Sequence, residues 1–178
     1  ARPVHGDPTF AAELTGAIRD AMFGTVWGPA VATEIRSMRE RLEVTAPARS
    51  LKRGPGGMVD VEFLVQAFQL KYGRQLPDVC RTNTWDSLDA FRDGSLISPA
   101  DHATLSDSFS FHRLAEARLR IVTNRPLNEY PQPPEELEKL ARRMGFRADG
   151  TTARERLLGE LTRHARATRE AFDRLVRE

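Results

Sequence analysis

Three glycines and a proline occupy the four positions Gly54 to Gly57, and no breaker follows until Gly73. Such a block cannot be helix or central strand. It forces an irregular segment, and the apolar run after it (Met58 to Tyr72) reads as a helix of about 57–72. Cations precede the glycines at Lys52 and Arg53, and Asp60 falls in the first turn beyond them. A loop of exposed backbone N–H groups at a helix N-terminus is suited to holding an anion, often a phosphate.

The rest of the chain repeats the helical pattern. Asp7 and Pro8 form a cap and a first-position proline, opening a helix to about Phe23. Val31, Ile35, Met38 and Leu42 recur at helical spacing, which predicts a helix over 30–45. Further helices are expected over 83–93, ending at Gly94, and over 99–122, opened by Ser98 and Pro99. A helix over 135–144 should stop at Gly145, and Thr151 or Thr152 should cap a last one over 153–177. Four prolines make 124–134 an extended linker. No segment alternates with period two. The expectation is a single all-α domain over 1–178, a bundle of six or seven helices with the 57–72 helix at its centre and no sheet of consequence.

Composition narrows the function classes. A charged fraction of 29% and a hydrophobic fraction of 40% are ordinary for a globular chain. No apolar run approaches the length of a bilayer span. The N-terminus has no signal-peptide pattern and no initiator Met, so the chain is expected to be a piece of a longer cytoplasmic protein. One cysteine, Cys80, rules out an internal disulfide. The net charge is only +2, and acids interleave with bases, as in Arg36, Arg39, Glu40, Arg41 and Glu43. That reads as solvated helix faces with i,i+4 pairs and not as a nucleic-acid track. His5, His102, His112 and His164 lack metal-ligand spacing and are expected at the surface or at caps. Trp27 and Trp85 should anchor core or loops, Asp86, Asp89 and Asp93 a solvated face, and Arg113, Arg118 and Arg120 intrahelical or interhelical pairs.

On a helical wheel Asp60 shares the arc of Phe63, Leu64, Ala67 and Phe68, whereas Glu62, Gln66 and Gln69 form a polar strip that faces a partner domain or solvent. The two carboxylates therefore point apart and are not an acid/base couple. A carboxylate on the apolar side needs a partner. The candidates are first-turn amides, Lys52, or an arginine of a neighbouring helix. The glycine loop is neither a Walker A loop nor a dinucleotide fingerprint. Its two readings are an anion-binding cradle and a tight packed turn beside a helix N-terminal acid.

The run from Lys52 to Gln66 resembles the signature that follows the nucleotidyltransferase core in the glutamine synthetase adenylyltransferase family. The segment from Ala1 to Pro8 is similar to the stretch leaving that core, Glu34 to Arg41 to the family's acid- and arginine-rich helix, and Leu137 to Phe146 to a late helix. In order, these motifs cover most of the chain. The resemblance implies a two-headed enzyme. One half transfers AMP from ATP to a tyrosine of glutamine synthetase, and the other removes it by phosphorolysis. This chain would be one helical domain. Val59 and Asp60, in place of the Arg-Glu typical of the deadenylylating half, favour the adenylylating C-terminal half, as does Leu119 to Ile121 followed by Asn124. The family's Gly-Ser…Asp-x-Asp motif, which holds Mg²⁺, is absent from these 178 residues, so no catalysis is expected from the chain alone.

The resemblance thus implies ATP and Mg²⁺ in the full-length enzyme, and as partners glutamine synthetase, the PII signal protein and the nucleotidyltransferase core of the same chain, with no nucleic acid and no membrane. Lys52, Gly54, Gly56, Gly57 and Asp60 would close one side of the nucleotide site, with Lys52 neutralising phosphate and Asp60 orienting Lys52 or an arginine. Glu62 and Gln66 would face a partner. The alternatives are a non-catalytic module that docks glutamine synthetase or PII, and the helical domain of a PII uridylyltransferase, against which the Glu34 to Arg41 helix argues.

Overall fold

In the computed structural model, residues 3–24, 26–123 and 129–177 are described. Ala1, Arg2 and 124–128, which carry parts of the resemblance and of the expected linker, lie outside them. The described residues form seven α-helices: α1 (Pro8–Met22), α2 (Pro29–Val44), α3 (Met58–Tyr72), α4 (Thr84–Asp93), α5 (Pro99–Thr123), α6 (Pro134–Arg143) and α7 (Ala153–Leu175). A 3-10 turn, Pro77–Val79, is the one helical element that the spacing did not indicate. Its three residues are too few to show a period.

Local chemistry sets the helix ends. The Asp7 carboxylate accepts from the Phe10 N–H at 2.9 Å, and the Asn83 side chain accepts from the Trp85 and Asp86 amides. Thr152 and Glu155 cap α7 reciprocally. Gly145 stops α6 at φ 89°, where Phe146 N–H reaches back to the Ala141 carbonyl.

Two apolar clusters fill the interior. One joins α3, α4, the first half of α5 and the end of α7, around Leu64, Phe68, Leu88, Phe91, Leu105 and Phe172. The other joins Leu51, the second half of α5, α6 and the start of α7, around Leu119, Leu140 and Leu157. Helices α5 and α7 run through both clusters and hold them together. Eight residues of α3 are buried, spread around its whole circumference, which makes it the central helix. By contrast, α1 buries none. The only strand-like pairing among the described residues is a single antiparallel bridge, Ser50 to Glu129.

Candidate functional site

The loop from Arg49 to Gly57 closes as a stack of turns. Gly54 N–H donates to the Ser50 carbonyl, Gly57 N–H to Gly54, Met58 N–H to Leu51 at 3.2 Å and Val59 N–H to Lys52 at 3.0 Å. Gly56 N–H donates to a carboxylate oxygen of Asp60 at 2.5 Å. The amides expected to form an anion cradle are therefore spent inside the turn, and the packed-turn reading describes the loop. Gly56 lies at φ 68°, and a Cβ there would sit 1.7 Å from the Ala165 carbonyl oxygen of α7. Only glycine lets the loop approach α7 this closely.

Asp60 is fully buried. Its partner is not Lys52 but Arg39, equally buried on α2, whose Nε donates to one carboxylate oxygen. A terminal nitrogen of Arg39 donates to the Gly54 carbonyl at 2.8 Å, and another lies 3.3 Å from Glu43. Arg169 of α7 closes the knot, with Nε 3.5 Å from the second Asp60 oxygen and an ion pair to Glu43. Four elements, α2, the Arg49–Gly57 loop, α3 and, through Arg169, α7, are thus tied at one carboxylate. Burial pushes the Asp60 carboxyl up to about 6, against the pull of Arg39 and the Gly56 N–H.

The expectation of a solvated face on α2 is corrected at Arg39, which is 0% exposed. The wheel held the signal. Arg39 follows Ile35 by four residues and Ala32 by seven, so it faces inward with them. Met38, which the spacing placed on that face, is 44% exposed.

Lys52 is exposed, and its ammonium forms no hydrogen bond or ion pair among the described residues. It sits near Glu62. Burial raises the Glu62 carboxyl, while Lys52 and Arg113 hold it down. Gln66 is exposed. Gln69 does not continue their strip outward, because its amide donates to the Arg81 carbonyl at 2.8 Å and to Ser87 Oγ at 3.1 Å. Arg113 and Arg120 both pair with Glu116, as intrahelical pairing predicts.

The histidines divide. His5 is exposed and His102 bonds Asp89 at 2.8 Å. His112 and His164, expected at the surface, are buried. His164 stacks on Phe111 at 4.5 Å and meets Ser108 Oγ at 3.0 Å. His112 Nδ1 donates to the Ser108 carbonyl at 2.8 Å, and burial lowers its pKa.

Comparison with known proteins agrees with the signature. The chain is 33% identical over 98% of its length to the bifunctional glutamine synthetase adenylyltransferase/adenylyl-removing enzyme of Streptomyces coelicolor. It is 36% identical over 85% of its length to the enzyme of that name from Mycolicibacterium smegmatis, and 36% over 84% to that of Mycobacterium tuberculosis. The chain spans only 18% of the Streptomyces protein and 16% of the other two. Residues 30–176 match the family model described as GlnD PII-uridylyltransferase. The chain, similar to these enzymes along nearly its whole length, belongs to the glutamine synthetase adenylyltransferase family.

Proposed function

We propose that this chain is the helical part of a bifunctional enzyme that adenylylates a tyrosine of glutamine synthetase and, in its other half, removes the AMP by phosphorolysis. Val59 and Asp60 support the adenylylating half. ATP is the substrate of the complete enzyme, and the PII signal protein and the nucleotidyltransferase core of the same chain are its partners in regulating nitrogen assimilation in the cytoplasm. Among the described residues no three of His, Cys, Asp and Glu come together as a metal site. In this reading the carboxylates that hold Mg²⁺ are those of the core, and this chain by itself is inactive.

The observation that carries a role for the loop is the contrast between Lys52 and what lies behind it. Lys52 presents an unpaired ammonium on a turn whose glycine amides are engaged and whose base is locked to α2 and α7 by Asp60. A free cation on a rigid backbone mount suits a phosphate brought to that turn. In this reading Lys52 meets the nucleotide phosphate. Gly54, Gly56, Gly57 and Asp60 are positioning residues that hold Lys52 in place, and Glu62 and Gln66 lie on the partner-facing side.

In the full-length enzyme, Lys52→Ala should reduce adenylylation of glutamine synthetase at least tenfold, the scale of one charge-assisted phosphate contact (~1.4 kcal/mol or more). Its melting temperature should stay unchanged. Full activity of K52A would overturn the role of Lys52. A second reading, a docking module without a nucleotide role, is favoured by the exposed apolar residues Phe10, Leu14 and Ile18 of α1. It predicts that K52A binds nucleotide normally, while substitutions on α1 weaken binding of glutamine synthetase or PII.

A further inference from the structure

On the face of the glycine turn toward α7 lies a cavity of about 370 Å³, bounded by the turn itself, by Tyr130 and by α7 from Leu158 to Arg169. Its size is that of a small-molecule site. Three guanidinium groups reach its wall, from Arg49, Arg166 and Arg169. Each is tethered but not exhausted. Arg49 donates Nε to the Tyr130 carbonyl at 3.1 Å, and its terminal nitrogen has only a long contact of 3.9 Å to Glu129. Arg166 spends Nε on Glu170 at 2.7 Å. Arg169 is held by Glu43 and Asp60 in the buried knot. Ser50 Oγ, on the same wall, accepts from the Arg53 N–H and keeps its own O–H to donate.

The second feature is His112. It is 3% exposed and lines the same cavity. A carbonyl oxygen only accepts, so the contact with Ser108 requires the proton on Nδ1. In the neutral ring Nε2 is then an acceptor, and it has no hydrogen-bond partner among the described residues. Nε2 is not among the fully enclosed unpartnered atoms, so it stays open to a donor that enters the cavity.

Arginines and a free acceptor lining one cavity select for an anion that carries its own hydroxyl. We propose that this cavity binds a small phosphate with an O–H group, either hydrogen phosphate or a hydroxylated phosphate monoester. The oxyanion lies against Arg49, Arg166 and Arg169, and the hydroxyl donates to His112 Nε2. Sulfate has the same shape but no proton to donate near neutral pH, so the site discriminates against it. This site uses other residues than Lys52 and does not depend on the adenylylation reading.

The test is titration of the 178-residue chain with inorganic phosphate, ribose 5-phosphate and sulfate, followed by amide NMR shifts and calorimetry. Saturable shifts at Ser50, Gly54, Gly57 and Thr162 with either phosphate, and binding of sulfate weaker by about tenfold, are expected for one lost buried hydrogen bond. Tighter binding of ribose 5-phosphate than of inorganic phosphate would identify the ligand as a monoester, and the reverse order would identify hydrogen phosphate. Arg49→Gln and Arg166→Gln, both on the surface side of the wall and outside the buried knot, should each weaken phosphate binding by about tenfold without altering the amide spectrum elsewhere. Absence of saturable binding, equal affinity for sulfate and phosphate, or unchanged affinity in both arginine variants would each overturn the proposal.

Discussion

Helices α1 and α3 are each 15 residues long, yet they stand at opposite extremes of burial. Helix α1 has a regular apolar stripe at Phe10, Leu14 and Ile18, and all three residues are exposed. Helix α3 buries eight of its residues, with a carboxylate at its N-terminal end, and leaves Gln66 exposed. Amphipathic spacing predicts that a helix has a face to bury. It does not say whether the rest of the chain supplies the cover. The difference also separates two kinds of polar group. On α1 charges meet water, whereas the charge at the start of α3 must be satisfied by protein, and α2, the loop and α7 converge on it.

The largest blow to this contrast should come from Arg39→Ala. It leaves Asp60 buried without its main cation, which costs about 3–5 kcal/mol. Urea unfolding monitored by circular dichroism would measure the loss. A cost under about 1 kcal/mol would mean that α3 does not depend on the knot. Gly56→Ala follows, at about 3 kcal/mol, because it combines a left-handed backbone with a clash against the Ala165 carbonyl. The same unfolding measurement applies.

The third effect is a pH dependence. The folded-state pKa of Asp60 is about 6, above its ordinary 3.8. The native state therefore holds this proton more tightly than the unfolded chain does. The contribution to stability is fully present below about pH 4 and is lost as pH rises through about 6. The span of about two units corresponds to ~3 kcal/mol at most. Other carboxylates, such as Asp101 and Glu138, are held below their ordinary values and slope the opposite way. The readout is therefore the wild type minus Asp60→Asn at pH 4.5 and pH 7, two working points that bracket much of the transition set by these pKa values. A difference that does not change between them would contradict a raised Asp60.

The smallest effect belongs to α1. Phe10→Ser and Leu14→Ser should shift the stability of this chain by less than about 0.5 kcal/mol, as exposed substitutions do. The same changes in a full-length enzyme sharpen the comparison. A clear drop in melting temperature there would show that the rest of the protein covers this stripe.

Much of the fold was legible because helix ends are local events. Asp7, Asn83, Thr152, Gly145 and the prolines at first helical positions act within a few residues of the chain, so spacing places every α-helix within a residue or two of where it lies. The central position of α3 was legible as well, from its unbroken apolar run. The character of the glycine loop was not. The same residues serve an anion cradle or a packed turn, and the choice depends on where the freed N–H groups point. The burial of His112 and His164 and the stacking of His164 on Phe111 likewise depend on how α5 meets α7.

The sequence by itself determined a bundle of six or seven helices, most of their caps, and the need of Asp60 for a partner. Only the tertiary structure decided that the cation is Arg39, 21 residues away, with Arg169 behind it, and that Lys52 is left unpaired at the surface. The reason is range. Caps and breakers act through hydrogen bonds a turn away, whereas pairing a buried charge requires two helices to dock in one register, and that register is set by packing across the whole core.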